Sequence, residues 1–356
     1  MKIQNLSLTN FRNYAKAEVT INSDLVLILG PNASGKTNFL ESIYYLSNLK
    51  SFRAPDNSLV NFDQDFLNVE AGTNKPESLE VVVQKTPAVR KAFKINGQKV
   101  KKIAWNAFQT VLFDPTDLNL FSSGPSERRR FLNEVLSAKD SVYALDLSSL
   151  DHILKQRAAL LYRIQEGSAK EFELEFWDDQ LAEVSLRIGA ARRGLIDFLN
   201  DRFNAVFRKL SHFEDKYLVV YKGLEEGATK DSIRKRILDH RQAEIATGTN
   251  LIGPHREDFS VLKEGISNIH SSSRGELREQ VIAIKLLQAN YLSVGEDRPI
   301  MLMDDVFSEL DGERQRLLLE NLGDYQVFIT STDPALKDQV AGKGQVLEVE
   351  NGKLNL

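Results

Sequence analysis

The chain contains no cysteine among its 356 residues. Disulfide bonds, zinc sites built on thiolates and cysteine nucleophiles are therefore excluded. No apolar run approaches the length that a membrane-spanning helix requires, and residues 1–5 lack the long apolar segment of a secretory signal. From these absences we expect a cytoplasmic protein with no membrane partner.

An excess of either charge is also missing, because 46 Lys and Arg face 50 Asp and Glu and leave a formal net charge of −4. This balance does not itself indicate a nucleic-acid partner, although a local basic face is enough to bind one. A hydrophobic content of 42% and a charged content of 27% are those of a soluble globular protein. The length allows one large or two ordinary domains.

The most specific motif is a glycine-rich loop that fits the phosphate-binding pattern G-x-x-x-x-G-K-[ST] without mismatch. Its residues, all assigned to ATP binding, are Gly30, Pro31, Asn32, Ala33, Ser34, Gly35, Lys36 and Thr37. A buried strand is predicted just before it, at 25–29, and a helix just after it. Backbone N–H groups and the helix N-terminus then enclose phosphate oxygens, Lys36 reaches the β- and γ-phosphates, and Thr37 ligates Mg²⁺. A chance match is the alternative, which the flanking strand and helix disfavour.

An acidic pair forms the second half of this predicted site. Asp304 and Asp305 follow the apolar run 300–303, the arrangement called Walker B. Asp304 is expected to hold Mg²⁺ through water, and Asp305 to orient or deprotonate the attacking water. An apolar run that ends in acidic residues is common, so this motif alone is weak evidence for a nucleotide site. Residues 308–311 follow it directly and strengthen the assignment, and Asp311 is assigned to nucleotide binding. Since Lys36 and Asp304 lie far apart in the chain, we predict an α/β head whose mixed sheets come from both chain ends.

A third element is the serine and glycine, Ser273 and Gly275, that open an apolar segment of helical period. Such a helix start offers a hydroxyl, backbone N–H groups and the helix dipole to an anion. An ordinary capped helix is the alternative, because Ser-x-x-Glu is also a capping box. The position before the Walker B strand favours the signature motif of ATP-binding-cassette ATPases, which contacts the γ-phosphate held by a second subunit. Ser273 thus joins Lys36 and Asp305 as a catalytic candidate.

The chain divides by its hydrophobic period. Steps of three and four residues from 127 to 212 predict several packed helices. Strands are predicted at 3–8, 17–21, 25–29, 79–83, 92–95, 299–303, 325–329 and 346–349. A turn is predicted at 96–97, and the strand 346–349 followed by Asn351-Gly352 predicts a terminal hairpin. The predicted domains are an ATPase head of residues 1–120 and 250–356 and an inserted, mainly helical lid-like lobe of residues 121–249.

Together these features resemble the RecF family of bacterial recombination mediators, which is related to SMC and other DNA-repair head ATPases. Besides the three motifs, the segments that carry the resemblance are 8–14, 50–53, 113–118, 124–132 and 253–259. Gly-Pro-His-Arg at 253–256 and the paired arginines before Phe131 are the most discriminating, because general cassette ATPases lack them. Asp305 departs from the transporter glutamate, Thr332 stands in place of a switch histidine, and Gln109 is only a candidate for the lobe-connecting glutamine.

The resemblance implies an ATP-dependent homodimer that binds duplex and gapped DNA without sequence specificity. It implies a weak, DNA-stimulated ATPase that acts as a switch, with other recombination mediator proteins as partners. The implied role is recombinase loading in DNA repair, the response to DNA damage and the restart of replication. Two other functions share some motifs and stay open at this point: the ATPase subunit of a membrane transporter, and a phosphate-loop kinase of small molecules.

Clusters of basic residues are candidates for sequence-independent contacts to DNA phosphates. They are Lys91, Lys94, Lys99, Lys101 and Lys102; Arg128, Arg129 and Arg130; Arg192 and Arg193; and Arg234, Lys235, Arg236 and Arg241. For any single cluster, a solvated face is the commoner explanation. Nothing in these clusters reads base edges, so no sequence preference is expected.

Overall fold

A computed structural model describes residues 1–75, 77–105, 107–211 and 214–355. The chain forms two compact units, Met1–Asp117 with Gln288–Leu356, and Leu118–Leu287. The predicted domain boundaries near residues 120 and 250 remain a prediction. His212, the predicted end of the helical stretch, lies outside the described residues. No helix within the described ranges is both long enough and apolar enough to cross a membrane.

The helices and strands are numbered along the chain. The strands are β1 (Ile3–Phe11), β2 (Tyr14–Thr20), β3 (Leu25–Leu29), β4 (Phe66–Thr73), β5 (Ser78–Gln84), β6 (Arg90–Ile95), β7 (Gln98–Val100), β8 (Thr110–Phe113), β9 (Tyr217–Lys222), β10 (Asp258–Lys263), β11 (Ile266–Ser267), β12 (Ile300–Asp304), β13 (Val327–Ser331), β14 (Gln345–Glu350) and β15 (Lys353–Asn355). The helices are α1 (Lys36–Asn48), α2 (Pro125–Lys139), α3 (Ser141–Gln165), α4 (Glu175–Leu210), α5 (Lys230–Asp239), α6 (Arg241–Thr247), α7 (Asn268–Ser271), α8 (Arg274–Leu292), α9 (Gly312–Asn321) and α10 (Leu336–Val340).

One sheet of the first unit joins the two ends of the chain. Its order is β15, β14, β3, β13, β12, β8, and every pair is parallel except β14 with β15. Three of the inner strands, β3, β13 and β12, are almost continuously buried, because both faces of a parallel sheet are covered. β3 and β12 therefore lie on either side of β13, and the head with mixed sheets from both chain ends is confirmed.

The second sheet of the first unit is antiparallel, in the order β2, β1, β4, β5, β6, β7. Along β4 and β5, fully buried residues alternate with half-buried ones, as expected for a sheet with one face on the core. Helix α1 packs against both sheets, with its apolar residues in the same core. The strands predicted from alternation, the turn at 96–97 and the terminal hairpin are confirmed, whereas β4, β7 and β8 were not predicted.

The second unit contains the long helices α2, α3 and α4, which confirms the predicted helical packing. It also contains a small antiparallel sheet, β11, β10, β9, which was not predicted. The sequence signal for this sheet is weak, because β11 has only two residues and β9 comes soon after the amphipathic pattern of α4.

Buried ion pairs hold the second unit together. Arg157 is fully buried and donates to Asp178 at 2.7 Å and to Glu244 at 2.8 Å. Arg192 is also buried and donates to Glu257 at 2.7 Å and to the Pro254 carbonyl at 2.8 Å. Buried charges persist only when they are paired and hydrogen-bonded. The Arg157 contacts therefore fix α3 against α4 and α6, and the Arg192 contacts fix α4 against the segment at 254–257.

Candidate functional site

The glycine-rich loop lies between β3 and α1, and two of its glycines are required by geometry. Gly35 has φ +122°, and a Cβ there would come within 2.7 Å of the Asn13 amide. A Cβ on Gly30 would come within 2.2 Å of the Val349 carbonyl oxygen. The loop is further held by the Asn13 amide, which donates to the Ser34 carbonyl at 2.8 Å, and by the Tyr14 hydroxyl, which donates to the Gly35 carbonyl at 3.0 Å.

Lys36 begins helix α1 and turns its ammonium back over its own loop. Its Nζ donates to the carbonyl oxygens of Gly30 at 2.9 Å and Pro31 at 3.0 Å. Burial lowers the pKa of Lys36, and the charges of Asp305 and Asp304 oppose that shift. A cation held only by neutral carbonyl groups at hydrogen-bond distance is available to an incoming anion.

Thr37 and Asp304 meet although 267 positions separate them. The Thr37 hydroxyl donates to Asp304 Oδ1 at 2.8 Å, and the Thr330 hydroxyl donates to the same oxygen at 2.8 Å. The pairing of β3, β13 and β12 brings these three side chains to one edge of the sheet. A hydroxyl and a carboxylate are the oxygen ligands that Mg²⁺ accepts in nucleotide sites.

Asp305 has the features of a reactive carboxylate. Its backbone is left-handed, with φ 54°, and its N–H donates to the Thr330 hydroxyl at 2.9 Å. Oδ1 is buried without a hydrogen-bond partner among the described residues. Burial raises the pKa of Asp305; Lys36 opposes the rise, and Asp304 and Glu309 add to it. A strained backbone and an unpaired buried oxygen both cost free energy, which indicates a group kept for binding or catalysis.

These residues line a cleft of about 250 Å³. The lining includes Asn32, Ala33, Gly35, Lys36, Thr37, Asp304 and Asp305 of the predicted set, and also Asn38, Arg53 and Thr330. The last three were not assigned to the site from the sequence. Arg53 lies in the segment 50–53, which carries part of the family resemblance, and Thr330 directly follows the strand predicted at 325–329. A single sequence does not show which side chains of such segments turn into the cleft.

Arg53 is held at the cleft by a buried carboxylate. Glu41, on α1, is fully buried and accepts from Arg53 at 2.7 Å and bidentately from Arg12 at 2.8 and 2.9 Å. The Ser51 hydroxyl donates to it at 2.5 Å. Burial alone would raise the pKa of Glu41, but the hydrogen bonds from Arg12, Arg53 and Ser51 outweigh burial and hold the pKa below its usual range.

The remaining predicted site residues lie elsewhere. Ser273 and Gly275 are in the second unit, at the start of α8, where Ser273 and Glu276 form the reciprocal capping box that the sequence allowed, at 2.7 and 3.3 Å. Asp311, in the first unit, caps α9 by accepting from the Arg314 N–H at 3.0 Å. Asp311 lies outside the group that lines the cleft. Their roles toward a nucleotide remain predictions.

Comparison with known proteins identifies the family. The family model for the RecF/RecN/SMC N terminal domain matches residues 2–355. A DNA replication and repair protein RecF from Heliobacterium modesticaldum is 33% identical, over 100% of this chain and 99% of that protein. The chain belongs to the RecF family. Another RecF, from Moorella thermoacetica, is 36% identical over 94% of this chain and 91% of its own.

Solved structures agree with this membership. A structure of the recombination mediator protein RecF with ATPrS, in the RecFOR pathway, has a TM-score of 0.88 at 29% identity, over 99% of this chain and 97% of that one. An SMC head bound to the C-winged helix domain of ScpA has a TM-score of 0.56 at 14% identity, over 100% and 97% of the chains. The second likeness concerns the fold alone. The resemblance to RecF and the head-type α/β fold are both confirmed.

Eight of the fourteen basic residues in the predicted clusters are engaged within the protein. The engaged side chains and their acceptors are Arg128 with Asp258, Arg129 with the Glu257 carbonyl, Arg130 with Glu127, Arg192 with Glu257, Arg193 with the Leu224 carbonyl, Arg241 with Asp178, Lys91 with Asp56 and Lys94 with Glu80. By contrast, Lys99, Lys101 and Lys102 are exposed at β7, the last strand of the antiparallel sheet, without an ion pair to any residue in the described ranges. Lys235 and Arg236 are likewise exposed on α5.

Replacing Glu41 by Gln tests whether this carboxylate holds the arginines in place. The pKa of Glu41 is lower in the folded protein than in the unfolded chain, so ionisation of this carboxyl stabilises the folded state at any pH above the unfolded-state pKa. This stabilisation is lost as the pH falls through the folded-state pKa. Glu41→Gln should therefore lower the free energy of unfolding by about 3 kcal/mol near neutral pH. Urea unfolding curves measure the difference in free energy of unfolding between the Glu41→Gln variant and wild type. This difference should shrink as the pH is lowered.

The control is Glu18→Gln, which removes a carboxylate from the exposed pair with Lys16. It should leave the curves nearly unchanged because exposed pairs contribute little. A Glu41→Gln protein as stable as wild type at neutral pH would contradict the assigned role.

Proposed function

We propose that the chain is an ATP-dependent, DNA-binding recombination mediator. The observation that carries the proposal is the hydrogen bond between Thr37 and Asp304, which joins the phosphate loop to the acidic strand across the β3–β13–β12 sheet. The RecF relatives that have been solved with ATPrS and with ATP, at TM-scores of 0.88 and 0.86, support ATP as the nucleotide. No specific observation favours a transporter subunit or a small-molecule kinase.

The residues of the cleft fit ATP with Mg²⁺. The loop at 30–37 and the N-terminus of α1 would hold the phosphates, and Lys36 would exchange its two carbonyl acceptors for phosphate oxygens. Thr37 and Asp304 would hold Mg²⁺, which, when bound, neutralises phosphate charge. Asp305, with its unpaired oxygen and raised pKa, is suited to accept a proton from a water molecule.

Dimerisation would couple this site to DNA. Ser273 and Gly275 lie at the N-terminus of α8, a 19-residue helix whose first turn offers donors to an anion. In the proposed dimer this terminus faces the γ-phosphate bound by the other copy, so that ATP stabilises the closed state. Slow hydrolysis would release the DNA. The closed dimer on duplex or gapped DNA would act beside other mediator proteins and support recombinase loading.

The face proposed for DNA is the β7 edge. Lys99, Lys101 and Lys102 lie within four consecutive positions, are exposed and have no ion-pair partner in the described ranges. Lysines on an edge strand also prevent sheet-to-sheet association, which is an alternative role for them. Contacts to phosphates would make binding insensitive to sequence and sensitive to salt.

Lys36→Met should weaken ATP binding by at least about tenfold, because a charge-assisted hydrogen bond to a phosphate contributes roughly 1.5–3 kcal/mol. Titration calorimetry with ATP and Mg²⁺ measures the change. Lys16→Met is the control, since Lys16 is exposed and pairs only with Glu18. Equal ATP affinity in the Lys36→Met protein and the wild type would refute the assignment of the site.

Asp305→Asn should leave ATP affinity close to wild type and lower the hydrolysis rate by about 100-fold, the usual contribution of a general base. In wild type the rate should fall on acidification at a pH above that typical of an aspartate, because the pKa of Asp305 is raised and the carboxylate is the active form. Asp333→Asn, at an exposed residue that only caps a turn, serves as the control. An Asp305→Asn protein that hydrolyses ATP at the wild-type rate would remove Asp305 from the mechanism.

Replacing Lys99, Lys101 and Lys102 together by Gln should weaken duplex binding and reduce the salt dependence. Each lysine that contacts a phosphate contributes about 0.9 to the slope of log affinity against log salt. Fluorescence anisotropy with a labelled duplex at several salt concentrations measures both quantities. The matched control replaces Lys2, Lys16 and Lys75 by Gln, since each of these pairs with a carboxylate on the surface. If both triple variants lose affinity equally, the β7 edge is not the DNA face.

A further inference from the structure

The two longest helices of the second unit, α3 and α4, form an antiparallel hairpin whose tip has no part in the proposed function. We define the hairpin tip as residues 166–179, which include a short 3₁₀ helix, Glu171–Leu174, that runs directly into α4. The backbone at Leu174 and Glu175 is right-handed helical, so the segment from 171 onward is one continuous helical run. Side chains four positions apart along it lie on the same face.

Two phenylalanines occupy the outer face of this run. Phe172 and Phe176 are four positions apart, and their side chains are 65% and 62% exposed. Leu174, between them, points the other way and is fully buried with Leu160 and Leu161. Phenylalanine is among the aromatic residues that are enriched in the cores of protein interfaces. Neither helix capping nor the helix dipole requires an aromatic side chain at these two positions.

Carboxylates surround the aromatic pair. Residues 166–179 contain Glu166, Glu171, Glu173, Glu175, Asp178 and Asp179 but only one basic residue, Lys170. Asp178 is neutralised by its buried contacts with Arg157 and Arg241, and Asp179 pairs with Lys230 at 2.8 Å. Helical period places Glu171 and Glu175 on one side of the phenylalanines and Glu173 on the other. The surface of the tip is therefore apolar at its centre and acidic at its rim.

The tip stands on a rigid base. Below it, Arg157 ties α3 to α4 through Asp178 and to α6 through Glu244, with all three side chains buried. The Trp177 ring packs edge-on against the rings of Phe176 and of His152 on α3, with ring centroids 5.0 Å and 5.7 Å apart. Because the phenylalanines are already ordered by the helix beneath them, docking would cost little conformational entropy.

We propose that the hairpin tip docks a partner protein whose surface presents an apolar pocket rimmed by lysine and arginine. Charge selects this occupant. DNA phosphates are repelled by the carboxylates, and a second copy of the chain docking through the same surface would bring two acidic rims together. A basic protein surface is attracted by the rim and buries the phenylalanines. The proposal does not depend on the nucleotide site.

The probe for this surface is a fluorescein-labelled amphipathic peptide of leucine and lysine, titrated with the full chain by fluorescence anisotropy. The comparison peptide has glutamate in place of each lysine. Phe172→Ser with Phe176→Ser should weaken binding of the lysine peptide by at least about tenfold. Glu171→Gln with Glu175→Gln should weaken it at low salt and much less at high salt. The glutamate peptide should not bind wild type.

Two controls separate this proposal from others. Phe62→Ser replaces a phenylalanine that is 91% exposed in the first unit, and it should bind the lysine peptide as wild type does. Lys36→Met should also bind it as wild type does, so that loss of nucleotide binding and loss of docking are distinguishable. Circular dichroism should show all variants folded, because the replaced side chains at the tip are exposed.

Three results would overturn the proposal. In the first, the double phenylalanine variant binds the lysine peptide as tightly as wild type. In the second, a DNA duplex competes for the tip and loses affinity in the same variant. In the third, that variant loses a self-association that wild type shows by light scattering, which would make a second copy the occupant.

Discussion

The parallel pairing of β3, β13 and β12 is the constraint on which the rest of the head depends. It aligns the carboxyl ends of three strands, so that the loop after β3, the Thr330 hydroxyl of β13 and the carboxylate of Asp304 meet at one edge. Ligands bind at such an edge in open α/β sheets because the strands end there and helices begin. The two ends of the chain must pair before any of the cleft exists.

The sequence motifs predict the individual strands and the helix that surround the cleft. The loop sequence required a strand before it and a helix after it, and an apolar run ending in Asp304 required a second strand, so these elements were predictable. Sheet order, the small sheet of the second unit and the inward turn of Arg53 were not. Each depends on contacts between segments distant in sequence, such as Glu41 with Arg53 and β9 with β10, which a single sequence does not encode in its period.

Basic residues illustrate the same limit in another way. Arg128 and Arg192 look identical in sequence to arginines on a DNA face, yet both lie in internal ion pairs with Asp258 and Glu257. Burial decides the difference, because a charge removed from water must be paired within the protein. The exposed lysines at the β7 edge and the acidic hairpin tip then leave the protein with two surfaces of opposite character. We propose the first for DNA and the second for a basic partner protein.

In the proposed mechanism, ATP in this cleft joins two copies of the chain on DNA. Molar mass by light scattering tests it most directly, in four mixtures: protein alone, with ATP and Mg²⁺, with a short duplex, and with both. We expect a doubling of the mass that requires ATP, is strengthened by the duplex and is lost in Lys36→Met. A mass that stays that of one chain in all four mixtures, in a protein shown to bind ATP, would contradict the account.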